Sequence, residues 1–344
     1  MVGTREYSKR LGAISDNQFE TVAERWKLGR FLRAEPITSG LFGQNVFVIT
    51  TQGEFVLRGA PHWVKDLDDT EYHRDDRVQF TAEKYFAEQL VLNTRAPAPW
   101  PIFHDEASDI FGWPYLLMPR MPGTCFNERT IIEALPPVDR HGVAIALGEM
   151  LAEMQTLEAP FAGGFSPATV RLEPFPNGSV DWTIRELRAM VRAAAPHGIL
   201  SKSDTAWIED VCAAAAGLDA HKNTYVHCDY KLNNLTVSKA EKWRVSGLFD
   251  FHEARFGDGT LDLVRSTCSY LESDRELAGV FVAAYRNAGG GRDIAHKRVA
   301  LYIVNDRMKL WGYFGRPENQ ADWVRGKTFR GWAERYLDTI GALL

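Results

Sequence analysis

Thr224 to Val237 read TYVHCDYKLNNLTV. The two ends, Thr224-Tyr225-Val226 and Leu235-Thr236-Val237, have the β-branched and aromatic composition of buried strands. Between them stand His227, Asp229, Lys231, Asn233 and Asn234. Polar groups held beside a core cost free energy unless hydrogen bonds or a bound ion compensate them. The segment therefore reads as a loop between two strands whose side chains are satisfied by something beyond the loop.

Working outward, Gly247 to Ser266 read GLFDFHEARFGDGTLDLVRS, a strand end followed by Asp250 and then by Asp258 and Asp262. Two carboxylates and an amide arriving on loops at the ends of short strands suit phosphoryl transfer. Asp229 can accept the proton of an attacking hydroxyl, while Asn234 and Asp250 offer hard oxygen ligands to Mg²⁺ bridging phosphates. The spacing His227-x-Asp229, then Asn234 five residues beyond the aspartate, is that of a phosphoryl-transfer catalytic loop, with Cys228 where protein kinases place arginine.

At 344 residues and 45% apolar, the chain can bury a large core and exceeds the commonest single-domain size, which predicts two lobes. A formal charge of −5 argues against broad attraction to nucleic acid or anionic membrane and points to a small partner. Cys125, Cys212, Cys228 and Cys268 lie far apart with no C-x-x-C pair, so they read as reduced thiols. The N-terminus shows no apolar signal region and no window is apolar enough for a membrane span, so a cytoplasmic location is expected.

Along the chain, Ser15-Asp16-Asn17-Gln18 forms a capping box opening a helix with Phe19, Val22, Ala23 and Trp26 on one stripe. Three β-like runs follow, Phe31 to Ile37, Asn45 to Thr51 and Glu54 to Gly59, with Gln52-Gly53 as a turn, and they predict an antiparallel meander. The charged stretch His62 to Val78 reads as a loop before a helix over Phe80 to Leu92. Two more strands precede the Pro122-Gly123 turn. Downstream, Val143, Leu147, Met150, Leu151 and Met154 mark a helix. Further helices are predicted over Trp182 to Ala195, Ser203 to Leu218, Glu276 to Asn287, His296 to Trp311 and Ala321 to Leu343. The fold class is thus α+β: an antiparallel sheet with one main helix over residues 1–119, a hinge near Met118 to Gly123, and a mainly helical part over 120–344.

With HCDYKLNNL, DFHEARFGDGTLDL and the hinge-like YLLMPRMPG in place, the chain resembles the aminoglycoside phosphotransferase and choline kinase group of small-molecule kinases, from about Thr38 to Leu263. The resemblance implies a two-lobed protein-kinase-like fold and an enzyme that uses ATP, or GTP, and Mg²⁺ to phosphorylate a hydroxyl of a small molecule. Such an acceptor is an aminoglycoside-like or other antibiotic, or a metabolite. It implies Asp229 as base, Asn234 and Asp250 as metal ligands, His227 as a brace of the loop, and Asp258 and Asp262 as its support, with Gly259 in place of the group's usual proline. Gly40, Gly43 and Asn45 fall where the group carries its phosphate hairpin. Arg58 stands where kinases carry the lysine that grips phosphates, with Glu83 as its helix partner. Pro119 would offer a carbonyl, and Met121 an amide, to adenine. Lys231 replaces a histidine common in the group and matches the protein-kinase lysine that reaches the transferred phosphate, while Gln155 stands where the group often has histidine.

Two alternatives stand beside this reading. A protein kinase is favoured by Lys231 but lacks a long activation segment between Asp250 and Asp262. A nucleotide-binding pseudokinase scaffold is favoured by Arg58 but opposed by Asp229, Asn234 and Asp250. Glu253, Glu272, Asp274 and Asp306 are acidic candidates for holding a cationic acceptor. Trp311, Trp323 and Trp332 are expected in the core, and Cys228 is expected to be a small packed side chain.

Overall fold

A short hairpin, β1 (Thr4–Ser8) and β2 (Gly12–Ser15), leads into α1 (Asp16–Arg25) in the computed structural model, which describes residues 3–8, 11–37, 44–59, 76–126, 129–218, 222–291 and 294–344. Ser15 fixes the junction as its sequence predicts: the Gln18 amide donates to its hydroxyl and the Ser15 amide donates back to the Gln18 side chain. The hairpin escapes the periodicity because each strand buries a single residue, Tyr7 in β1 and Ile14 in β2, too few to display alternation.

The meander forms as expected. Strands β3 (Phe31–Pro36), β4 (Asn45–Thr50) and β5 (Gly53–Gly59) pair antiparallel, and Gly53 closes the turn after Gln52 at φ 150°. Helix α2 (Asp76–Asn93) then intervenes, starting four residues before Phe80, where the sequence reading places it, because the buried Val78, read as the end of the loop, already belongs to its apolar face, and β6 (Phe103–Asp105) and β7 (Tyr115–Pro119) complete the sheet in the order β3-β4-β5-β7-β6. Most of the charged stretch read as a loop, and the expected phosphate-hairpin glycines Gly40 and Gly43, lie outside the described residues.

Beyond Pro122 the chain runs through β8 (Thr124–Cys125), α3 (Arg129–Glu133), α4 (Pro137–Met154), β9 (Glu158–Ala159), β10 (Gly163–Ser166) and β11 (Arg171–Pro174). Helices α5 (Gly178–Ala194) and α6 (Lys202–Ala215) precede β12 (Asn223–Val226), β13 (Leu235–Lys239), β14 (Trp243–Leu248) and β15 (Arg255–Gly257). The chain ends with α7 (Thr260–Leu271), α8 (Arg275–Asn287), α9 (His296–Phe314) and α10 (Phe329–Leu343). The last helix starts later than its apolar pattern suggests, because Thr328 caps it by accepting from Gly331 N while Trp323 lies in the turn before it. Trp311 and Trp332 are buried, as expected, and Trp323 packs edge-on against Trp311.

The strands on either side of the opening loop belong to different sheets. β12 lies in the sheet β11-β10-β15-β12-β9, whereas β13 lies in β14-β13-β8. Residues 227–234 thus bridge two sheets at a point covered by α7.

Candidate active site

Helix α7 holds the loop. Both oxygens of Asp262 accept backbone hydrogen bonds, Oδ2 from His227 N at 2.6 Å and Oδ1 from Cys228 N at 2.8 Å. Complete burial pushes the Asp262 carboxyl up to about 6 against the opposing pull of His227 and these two amides. One turn on, Ser266 Oγ donates to Tyr230 O at 2.5 Å, and the Tyr230 hydroxyl donates to Leu147 O at 2.9 Å. The Cys228 backbone, at φ 68°, is forced into the left-handed region by this clamp. Its thiol is buried and pushed up to about 12 by desolvation, so it is the packed, unreactive side chain expected. His227 is fully buried, its Nε2 3.1 Å from Phe249 O.

Asp258 supports α7 from its other side, accepting from Thr260 N at 3.0 Å and from Arg298 Nε at 2.8 Å. Gly259 takes a helical φ of −61°, which a proline could adopt, but a Cβ there would lie 2.5 Å from the Gln155 amide. Gln155 uses that closeness: its Nε2 donates to Gly259 O at 2.9 Å and its Oε1 accepts from the Tyr285 hydroxyl at 2.6 Å.

Asp229 and Asn234 meet within the loop. Asn234 Nδ2 donates to Asp229 Oδ2 at 2.7 Å, and Lys231 Nζ lies 2.9 Å from the same oxygen. Arg265 of α7 grips the other oxygen, with Nη2 at 2.8 Å and Nε at 3.0 Å from Oδ1. Burial would raise the Asp229 carboxyl, but Arg265 and then Lys231 outweigh it and hold it below the usual range. Phe249 N donates to Asn234 O at 3.2 Å, which sets the Asp250 loop directly beside this one.

Asp250, at φ 74°, receives Arg58 Nη1 on Oδ1 at 2.8 Å and His252 Nδ1 at 2.6 Å on the same atom. Arg58 Nη1 also lies 2.9 Å from Glu83 Oε2, so the arginine of β5 joins the buried glutamate of α2 to the Asp250 loop. Burial opposes the charge on Asp250, yet His252 and Arg58 leave it well below the carboxylate range; His252 is likewise disfavoured by burial and raised by Asp250. Asn45 opens β4 directly opposite Arg58 in β5. Pro119 ends β7 opposite Phe55, and Met121 follows with its side chain against Gly247. Asn234 Oδ1 and Asp250 Oδ2 accept no hydrogen bond among the described residues. Two partly buried hard oxygens left free in adjacent loops are a donor set that fits Mg²⁺.

The structure thus gathers His227, Asp229, Lys231, Asn234, Asp250, Arg58, Glu83, Asp258 and Asp262 into one region. Sequence reasoning missed Arg265, His252 and Arg298. Arg265 follows Asp262 by three residues, one helical turn, and would have been legible had Thr260–Leu271 been read as a helix. The four acidic candidates are all engaged. Asp306 is bonded to Arg265 and Arg307, Glu272 to Arg307, Glu253 to Lys309 at 3.2 Å, and Asp274 caps α8.

An antiparallel sheet with one inserted helix, a following helical region, and a loop pair carrying Asp229, Asn234 and Asp250 define a kinase-like phosphotransferase fold. The sequence pattern of the phosphotransferase enzyme family (APH) matches residues 33–302, and the chain belongs to that family. Homoserine kinase of Burkholderia vietnamiensis is 23% identical over 352 residues, covering 95% of this chain and 86% of the relative. A Ralstonia eutropha protein classed with the aminoglycoside phosphotransferases superposes with a TM-score of 0.66 at 16% identity, covering 95% of this chain and 98% of its own. Aminoglycoside phosphotransferase APH(4)-Ia, solved with ADP and hygromycin B, gives a TM-score of 0.61 at 15% identity and covers 94% and 97%. The protein is therefore a phosphotransferase with an alcohol group as acceptor. No helix among the described residues is long and apolar enough to cross a membrane.

Proposed function

We propose that the protein transfers the γ-phosphoryl group of ATP, with GTP as a second donor, to a hydroxyl of a small molecule in the cytoplasm. Residues 1–119 form the nucleotide-binding lobe, 120–344 the catalytic and acceptor-binding lobe, and Met118 to Gly123 the hinge between them. The observation that carries this reading is the chain of contacts from Glu83 through Arg58 to Asp250, continued by the Phe249–Asn234 bond to Asp229. It links a sheet, a helix and two loops through the residue types that phosphoryl transfer uses.

In this reading Pro119 O and Met121 N face the adenine, and Asn45 lies beside the phosphates with Arg58, which Glu83 orients. Asn234 Oδ1 and Asp250 Oδ2 would hold Mg²⁺, which when bound would supply charge neutralisation at the phosphates. Asp229 accepts the acceptor's hydroxyl proton as the acceptor oxygen bonds to the γ-phosphorus and ADP departs. Lys231 leaves Asp229 for the transferred phosphoryl group. His227, Asp258 and Asp262 keep the loop in place. Because each acidic candidate near the site is already paired with a cation or a helix end, the charge pattern supports an acceptor of low net charge, such as a hydroxy amino acid, over a polycation.

A nucleotide-consumption screen tests the proposal, with ATP and GTP as donors, Mg²⁺ present, and homoserine, related hydroxy acids and hygromycin B as acceptors. Acceptor-dependent ADP release that vanishes in Asp250→Ala is expected. Nucleotide binding without turnover of any acceptor would favour the scaffold reading instead.

A further inference from the structure

Both oxygens of Asp229 are fully occupied. An ionised carboxylate offers about four lone-pair sites, and four donor contacts fill them: Arg265 Nη2 and Nε on Oδ1, Lys231 Nζ and Asn234 Nδ2 on Oδ2. An acceptor hydroxyl can reach this carboxylate only if one donor leaves. The four are not equally free to go.

Arg265 is tied from behind. Its Nη1 donates to Asp306 Oδ1 at 3.0 Å, and Asp306 Oδ2 receives Arg307 Nη2 at 2.5 Å. Arg307 is itself fully buried, bonded to Glu272 and seated over the rings of Tyr336 and Trp332 at 4.4 Å and 5.3 Å. A forked guanidinium gripping one carboxylate and anchored on another has little freedom to reorient. Lys231, by contrast, hangs on a flexible stem, and its only ion-pair partner among the described residues is Asp229.

We infer that Arg265 is a positioning residue: it pins Oδ1 of Asp229 throughout turnover, so that Oδ2, once Lys231 withdraws, is the oxygen that meets the acceptor. The row Asp229, Arg265, Asp306, Arg307, Glu272 is then a rigid backstop running from the loop across α7 and α9. It rests on the functional reading above, because the role of Asp229 comes from there. Arg265 itself touches neither nucleotide nor acceptor.

The test compares Arg265→Gln, Arg265→Lys and Asp306→Asn in the full-length protein, using ATP with whichever acceptor supports turnover, and with water as acceptor. Arg265→Gln should lower kcat by about 10²-fold, the scale of a misplaced reacting group, with KM for ATP unchanged. Arg265→Lys should recover part of that loss, since the charge returns without the fork. Asp306→Asn, which frees the arginine but never contacts Asp229, should lower kcat less and also spare KM. A parental kcat in Arg265→Gln, or an equal loss in Arg265→Lys, would overturn the assignment. A second measurement needs no turnover: the stability loss of Arg265→Gln should largely disappear in an Asp229→Asn background. Additive losses would refute the pairing even if the protein phosphorylated no acceptor, an outcome that would separately defeat the functional reading.

Discussion

Arg58→Met isolates the charge triad of the site. The arginine lies 2.9 Å from Glu83 and 2.8 Å from Asp250. At an effective dielectric near 20, each contact of this length is worth about 6 kcal/mol before desolvation. Most of that gross attraction is offset by the cost of taking the charges out of water, but removing one partner strands the rest. Asp250 keeps His252, whereas Glu83, only 1% exposed, loses its one ion-pair partner among the described residues. Breaking a buried pair in this way costs about 3–5 kcal/mol. The penalty should depend on pH, and its sign follows from Glu83. Burial already raises this carboxyl while Arg58 pulls it down; without Arg58 its folded value climbs further above the unfolded value of about 4.3. A raised carboxyl contributes stability that is present below the unfolded value and is lost as pH rises through the folded one. Urea unfolding should therefore show Arg58→Met about 1 kcal/mol less stable than the parent at pH 5 and several kcal/mol less stable at pH 8. Arg58→Lys should fall between. A loss below about 1 kcal/mol that does not change with pH would mean the three groups are solvated and unlinked.

Asp229→Asn should reduce kcat by ~10²–10⁴-fold with the ATP dissociation constant unchanged, measured by single-turnover phosphorylation and calorimetry; a stability loss at an unchanged rate would remove its catalytic role. Asp250→Ala should abolish Mg²⁺-dependent turnover while circular dichroism shows the fold intact, and near-normal activity would exclude it from metal binding. Gly259→Pro should cost about 1 kcal/mol, because the end of Gln155, 2.5 Å from the new Cβ, must turn away and give up its bonds to Gly259 O and Tyr285, and much less beside Gln155→Ser, as a double-mutant cycle of thermal unfolding would show. Alkylation at pH 8 should label the part-exposed Cys125 and spare Cys228, whose thiol is held near 12; mass-spectrometric labelling of Cys228 in the folded protein would contradict its burial.

The elements that carry a strong local period were legible in the sequence. The Ser15 capping box, the meander with its Gln52-Gly53 turn, and the stripe through Val143, Leu147 and Leu151 all appear where patterning puts them. Helix α7 was not, and the reason is physical. Asp262, Ser266 and Thr267 stand on its buried face beside Leu263, Val264, Cys268 and Tyr270, so polar residues break up the apolar stripe, and threonine and valine weaken helical propensity. Thr267 even turns its hydroxyl back to Leu263 O. Losing that helix hid Arg265, and with it the partner of Asp229. The short strands β9, β10 and β11 were missed because two to four residues cannot display alternation. The polar residues of loop 227–234 were readable for the opposite reason: their polarity contradicts their strand-like surroundings.

The main hydrophobic cluster draws Phe80, Phe86 and Leu90 of α2 together with Leu147 and Leu151 of α4, Tyr225, Phe251 and Phe256. The boundary proposed near residues 118–123 would therefore run through that core and not around it. Excising residues 1–119 would uncover the rings that α2 lays against the remainder, leaving a sticky fragment, and the remainder would gain a matching hollow. Residues 1–119 also hold a cluster of their own around Phe19, Val48 and Leu57, but the shared one ties both halves together, so denaturation should proceed as one cooperative step, and grafting either half onto an unrelated partner would have to rebuild that shared cluster first.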